Sequence, residues 1–193
     1  MTTTSTIVRS LHDIGLASWF GGTLMGAIGL NGGAAAAQDP RERTRVSSAG
    51  WMKWSPVLIG SMVAHAVGSV GMLANDKERL LVQGEGRVSA AVKTAITLAA
   101  GAASVYSGIV GQVQSKHAGE PAAGANEPSA GTSSEMSTAQ SQQRILQWVP
   151  PVLTAVLIVL AAQQGEQQRV TTPAVAAPGS MIGRLKGMLP GRS

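Results

Sequence analysis

Apolar and polar positions fall in long blocks along this chain, with no sustained alternation at period two. From Ile14 to Ala37 there is no charged residue, and from Ser55 to Ala74 the one ionisable side chain is His65. Thr94 to Val113 is uncharged, with Lys93 at its edge, and Ile145 to Ala162 is the most lipophilic block, containing VLTAVLIVLAA. A bilayer's hydrocarbon core takes a helix of about 20 residues, in a range of about 17 to 25. The blocks therefore predict an all-α fold, an integral membrane bundle of four transmembrane helices at 14–37, 55–74, 94–113 and 145–162.

The intervening segments have the opposite character. Residues 1–13 read as an N-terminal tail, and 38–54 as a polar loop that begins with a proline turn at QDPRER. Residues 75–93 read as a charged loop, with a short surface helix before the turn at GEG. The stretch 114–144 is built from Ala, Gly, Ser, Thr, Pro, Glu and Gln. With so little apolar surface to offset ordering entropy, it is expected to be a long, flexible, disordered loop between helices three and four. Residues 163–193 form a basic tail. In it Met181, Ile182, Leu185, Met188 and Leu189 recur at helical spacing around Arg184 and Lys186. That suits either an amphipathic segment on an anionic leaflet or, given Gly183, Gly187 and Pro190, a frayed end.

Four crossings place the N-terminal tail, the second loop and the C-terminal tail on one side. The balance of Lys and Arg near the spans makes that side the cytoplasm, so both termini are expected there. Trp51, Trp54 and Trp148 flank the starts of the second and fourth helices, which fits an aromatic belt on a single leaflet. The expected location is the plasma membrane of a bacterial-type cell.

Composition supports the membrane reading. Charged residues make up 13% of the chain and aromatics 3%, too few large side chains for an ordinary soluble core. The absence of cysteine removes disulfides, thiolate metal sites and cysteine nucleophiles. The net charge of +5 is scattered through loops and tails without aromatic interleaving, which argues against nucleic acid as a partner.

The glycine-dense stretch HDIGLASWFGGTLMGAIGLNGG, from His12 to Gly33, admits three readings. A phosphate cradle fails, because neither the Gly-Lys-Ser/Thr ending nor the G-x-G-x-x-G spacing is present. A secretory signal has Arg9 as its basic region and Ala34 to Ala36 as small residues for cleavage, but its apolar core is long and follows Asp13. Helix packing accounts for the spacing itself. Gly15, Ser18, Gly22, Gly26, Gly29 and Gly33 recur at intervals of 3 and 4 and share one helical face. Similar small faces are expected from Gly60, Ala64, Gly68 and Gly71 in the second helix, and from Gly101, Ser104, Gly108 and Gly111 in the third. In lipid such faces let helix backbones approach closely.

The remaining candidates for chemistry are histidines. His12 sits beside Asp13 at the membrane boundary. His65 lies mid-helix, where an ionisable group is a functional candidate by default, either satisfied inside the bundle or ligating a metal or heme. His117 falls in the loop and is expected to be solvated. No pair of membrane-embedded carboxylates exists for a proton or cation path. His12, Trp19, Gly21 and Gly22 form H-x6-W-x-G-G. This resembles the first helix of bacterial copper-resistance-D-type membrane domains and related small four-helix membrane proteins of uncharacterised function. The resemblance covers about eleven residues and implies a helical bundle with a metal-related role for His12.

No catalytic set can be assembled from these residues, so the expected function is non-enzymatic. The chain reads as a small scaffold or accessory subunit in the lipid bilayer, associating with itself or a larger membrane complex, with no cofactor required. The alternatives are metal or heme binding through His12 and His65, or a small transporter, for which Thr94, Thr97, Tyr106 and Thr154 supply few polar groups.

Overall fold

The computed structural model describes residues 3–75 and 84–171, which are helical apart from short turns and the 117–133 segment. Helix α1 spans Thr3–Met25 and runs through a π-helical turn, Gly26–Leu30, into the short α2, Asn31–Ala35. Then come α3, Pro40–Asn75, α4, Gly84–Lys116, α5, Ser134–Leu146, and α6, Val149–Thr171. Residues Met1–Val159 form one compact unit. In the second unit, Leu160–Ser193, α6 continues to Thr171. The expected amphipathic stretch of the basic tail, from Ser180 onward, lies outside the described residues, as does the core of the charged loop, 76–83.

Among the described residues, three helical stretches are long and apolar enough to cross a membrane: Pro40–Asn75, Gly86–Lys116 and Ser134–Gln163. The expected first span is not among the three. They carry large apolar side chains on their surfaces, including Ile59, Val63, Val67 and Val70 of α3, Leu98, Val105 and Ile109 of α4, and Val152, Val156 and Val159 of α6.

Several boundaries differ from the sequence reading. The N-terminal tail is helical from Thr3, and the expected loop 38–54 is the first half of α3. Asp39 and Pro40 start that helix: the Asp39 carboxylate accepts the Arg41 N–H at 2.9 Å, and proline takes the first helical position, where its missing N–H is no loss. Asp39-Pro40, a turn signal by sequence, initiates a helix here. Expected loop 114–144 is ordered as well. Helix α4 continues to Lys116, a turn region follows, and α5 begins at Ser134, capped by Ser133, whose hydroxyl accepts the Met136 N–H. Helix α5 ends where Pro150 and Pro151 have no N–H to give to the carbonyls of Leu146 and Gln147.

Helices α1 and α3 pack antiparallel. Going up α1, Val8 meets Gly71, His12 meets Gly68, Gly15 meets Ser61 and His65, Gly22 meets Trp54, and Gly26 meets Trp51, with Leu30 on Gly50 beyond. At each step glycine on one helix admits backbone, a large ring or a branched aliphatic side chain from the other. Dispersion contacts of this kind are the main attraction available between helices in lipid. Helix α4 joins the pair through Ser104, which accepts the Trp19 indole N–H at 3.1 Å, and through Thr97 beside His65.

The π turn changes which face is buried. Up to Gly26 one series of buried positions on α1 steps by 4, 3 and 4, through Gly15, Trp19, Gly22 and Gly26, and its next member, Asn31, comes five residues on. The Asn31 N–H then reaches back five residues to the Gly26 carbonyl. This wider turn takes up one extra residue, so Asn31 and Ala34 are the next buried positions. Gly29 and Gly33, which a straight helix would have kept on the packed face, are exposed.

Candidate functional site

Two polar constellations are built into this frame. The first lies where α1 passes α3 near the N-terminal end of α1. Glycine at position 68 lets the His12 backbone come against α3, and Gly15 lets α1 approach His65 just as closely. The two imidazoles consequently meet, with ring centroids 4.5 Å apart and planes tilted by 44°. The Trp19 ring stands edge-on to His65 at 6.0 Å.

The partners fix the roles of the ring nitrogens. His12 Nδ1 lies 2.7 Å from the Asp13 carboxylate, which only accepts, so Nδ1 carries a proton. His65 is 1% exposed. Its Nδ1 is 3.4 Å from the His12 carbonyl and its Nε2 is 3.4 Å from the Thr97 hydroxyl. A neutral imidazole donating at Nδ1 and accepting at Nε2 suits both neighbours, through long contacts. The structure thus brings the two histidines singled out in the sequence together. Among the described residues, no group of three or more His, Asp and Glu side chains is placed to hold a metal ion.

The second constellation is a buried polar cap beyond the other end of α1. Asn31, delivered by the π turn, accepts from Ser47 Oγ at 2.7 Å and from Trp51 Nε1 at 3.0 Å. Its amide donates to Gln147 Oε1 at 2.9 Å. The same oxygen takes a bond from Asn126, whose own oxygen accepts from Gln114. Gln143 donates to Ser107 at 2.6 Å, and Gln140 to the carbonyl of Ala125 at 3.3 Å, with Thr44 beside it. Arg43 closes the rim by donating to the carbonyls of Ala37, Ala122 and Ala123. Together these bonds join α2, α3, α4, the 117–133 segment and α5.

This network was not singled out in the sequence. Its signal was there: Gln140, Gln143 and Gln147 recur at intervals of 3 and 4, one face of a helix. His117, expected to be solvated, is held between Glu120 at 2.7 Å and Glu135 at 3.5 Å. The Glu120 carboxyl is held below its ordinary range, chiefly because it accepts the Ser133 backbone N–H.

The expected packing positions divide into two groups. Gly15, Gly22, Gly26, Gly68 and Gly71 are filled by the facing helix, and Ser104 is buried under Trp19. Gly101 has only the Met62 methyl nearby, at 3.9 Å, and Ser18 and Ala64 are half-buried. Gly33, Gly60, Gly108 and Gly111 have nothing opposite them, and Gly29 meets only Met25 of its own helix. Comparison with protein-family models, curated proteins and solved structures finds no match for this chain.

Proposed function

We propose that this chain is an integral membrane protein with four spanning helices, acting as a non-enzymatic scaffold or accessory subunit. It associates with itself or with a larger membrane complex through the open glycine positions of α4. One observation carries the reading: the α1–α3 glycines are filled within the chain, whereas Gly108 and Gly111 of α4 face open space between exposed Val105 and Ile109. An apolar helix face with small residues and no partner within the chain suits docking of another helix in lipid.

In this proposal Asn31 marks the level of the membrane. Because it bonds both Trp51 of α3 and Gln147 just before α6, those two positions stand at one height. Beyond that height α3 and α6 turn apolar outward, at Val57 and Val152. Tyr106, exposed and hydrogen-bonded to Gln142, and the exposed Trp148 suit the headgroup region. The polar cap then stands outside the bilayer as an ordered unit, opposite the termini, which we place in the cytoplasm of a bacterial-type cell. Spans of about 21 residues extend from that level to the neighbourhood of Arg9, Asn75 and Arg87, enough for about 30 Å of hydrocarbon.

The mass of the detergent-solubilised protein tests the proposal. A dimer or larger species is expected, reduced to monomer by Gly108→Leu. A monomer whose mass is the same with and without that substitution overturns it.

The ring contact of His12 with His65 favours metal binding as a second reading. Asp13 behind His12 Nδ1 is the kind of carboxylate that orients a ligating imidazole. A haem held between the rings is disfavoured, since metal–nitrogen bonds of about 2 Å on each side leave no room for its plane at a 4.5 Å centroid separation. Elemental analysis that finds no copper, zinc or iron in purified wild-type protein ends this reading.

A further inference from the structure

We infer that the groove between α4 and α5 holds the head group of a phospholipid that carries an ammonium group, a site that rests on the membrane level proposed above. The groove has a volume of about 370 Å³. Small-ligand sites usually measure about 300 to 1,000 Å³. Val110 of α4 and Ala139 of α5 are buried along its floor, with Val113 beside them, and Glu135, Thr138 and Gln142 stand exposed along its α5 wall. Val113 follows the exposed Ile109 by four residues, so the apolar face of α4 leads from the bilayer into the groove. The floor itself lies beyond Tyr106, above the level that lipid tails cover.

The polar groups of the groove fix the chemistry of its occupant. Glu135 is the one ionisable side chain that lines it, at the end away from the bilayer. The Glu135 side chain is 66% exposed; its Oε2 lies 3.5 Å from His117 Nε2, and its Oε1 is open to the groove's occupant. A carboxylate only accepts, and next to an apolar floor it is complemented by an ammonium on a short hydrocarbon link. At the membrane end Gln142 Oε1 accepts the Tyr106 hydroxyl at 3.2 Å, which leaves the Gln142 amide N–H groups to donate to a phosphate.

Spacing and order agree with that occupant. Glu135 and Gln142 are two helical turns apart on one face of α5, about 10 Å along the axis at about 1.5 Å per residue. A phosphate, a two-carbon link and an ammonium cover that length with a hydrogen bond at each end. The donor stands toward the bilayer and the acceptor away from it, the order in which an ethanolamine phospholipid presents its phosphate and its ammonium. A glycerol phospholipid has the same phosphate but only neutral hydroxyls to set against Glu135, and a free phosphate would bring like charge toward it.

Titration of the full chain in detergent with short-chain phosphatidylethanolamine, and with phosphatidylglycerol of the same chains, tests this through the methyl resonances of Val110 and Val113. The ethanolamine lipid should shift them saturably and bind about two- to fivefold more tightly than the glycerol lipid, as expected for one partly exposed ion pair. Glu135→Gln should remove that preference and leave the glycerol lipid's affinity unchanged. Thr138→Trp, at an exposed position on the wall, should fill the groove and abolish both titrations. Equal affinities in the wild type, or a preference retained by Glu135→Gln, overturn the proposal. Free ethanolamine that binds as tightly as the lipid assigns the groove to a water-soluble amine and overturns the lipid. A spin label at the exposed Ser141 reads the depth of the same surface. A label immersed in hydrocarbon overturns the membrane level itself, whereas a label at headgroup depth with equal affinities overturns the lipid site alone.

Discussion

Gly68 of α3 lies directly against the backbone of His12 in α1, with no side chain between the two helices. A Cβ at position 68 would collide with the His12 nitrogen and stand 2.6 Å from its α-carbon, and backbone on both sides leaves nothing flexible to yield. Gly68→Ala should therefore push α1 and α3 apart and destabilise the protein by about 1 to 3 kcal/mol, as overpacking does. Gly60 is on the same helix with nothing opposite it. Gly60→Ala should leave the melting temperature unchanged or raise it through better helix propensity. Thermal unfolding of both variants in one detergent separates a specific close approach from a general intolerance of alanine.

A second consequence concerns the polar cap. Asn31 bonds Ser47, Trp51 and Gln147 at once, so Asn31→Ala leaves the buried Ser47 hydroxyl and the half-buried Trp51 indole N–H without this partner, while Gln147 Oε1 keeps its bond from Asn126. Each such group costs about 1 to 3 kcal/mol, partly relieved by water, and a total loss of about 2 to 4 kcal/mol is expected. Trp51→Phe removes one of the same bonds while keeping the ring on Gly26. A double-mutant cycle should show the two substitutions coupled by about 0.5 to 1.5 kcal/mol. Strict additivity would mean that the indole–amide bond contributes nothing.

Much of the helical frame is legible in the sequence because hydrophobic blocks and glycine spacing report directly on lipid and on close packing. Gly15, Gly22 and Gly26 could be placed on one face from spacing alone. Gly29 and Gly33 could not, because a π turn alters the period and nothing in GAIGL marks that turn. The beginning of α3 was missed for a local reason: Asp39-Pro40 serves equally as a turn or a helix start, and the buried Thr44 and Ser47 are too polar to signal an interior face. The cap was missed because its interior is made of amides. Composition rules that equate Gln, Asn, Ser and Thr with solvent fail where those groups bond one another. The pairing of His12 with His65 required the antiparallel register of α1 on α3, which comes from the three-dimensional match of glycines to rings.

Glu120 gives a pH-dependent expectation of definite sign. Its carboxyl is depressed mainly by the Ser133 backbone N–H, then by the Ser133 side chain, against an opposing effect of burial, with His117 adding in the same direction. A depressed carboxyl contributes order to the folded segment above the ordinary glutamate range and loses it as pH falls through the lowered folded value. Protection of the Ser133 amide should therefore fall away at strongly acidic pH. Glu120→Gln should be less protected at mildly acidic pH and should lack that acid-dependent step. A step of unchanged size in Glu120→Gln would assign it to another carboxyl group.

The π turn itself can be tested by changing the length of the chain. In the wild type the turn absorbs one residue between Gly26 and Asn31, and Ile28 within it is exposed and free of the core. Deleting Ile28 should convert the turn to regular α-helix while leaving Gly26 on Trp51 and Asn31 at its three partners. The variant is expected to stay within about 1 kcal/mol of wild type, as for surface changes that keep the packing. Inserting one alanine after Leu30 instead rotates Asn31 by about 100° away from its partners, since an α-helix has about 3.6 residues per turn. That variant should lose at least as much stability as Asn31→Ala, and Trp51 fluorescence should report a changed indole environment. If the deletion proves as damaging as the insertion, the extra residue does more than set register, and the GAIGL turn must contribute contacts of its own.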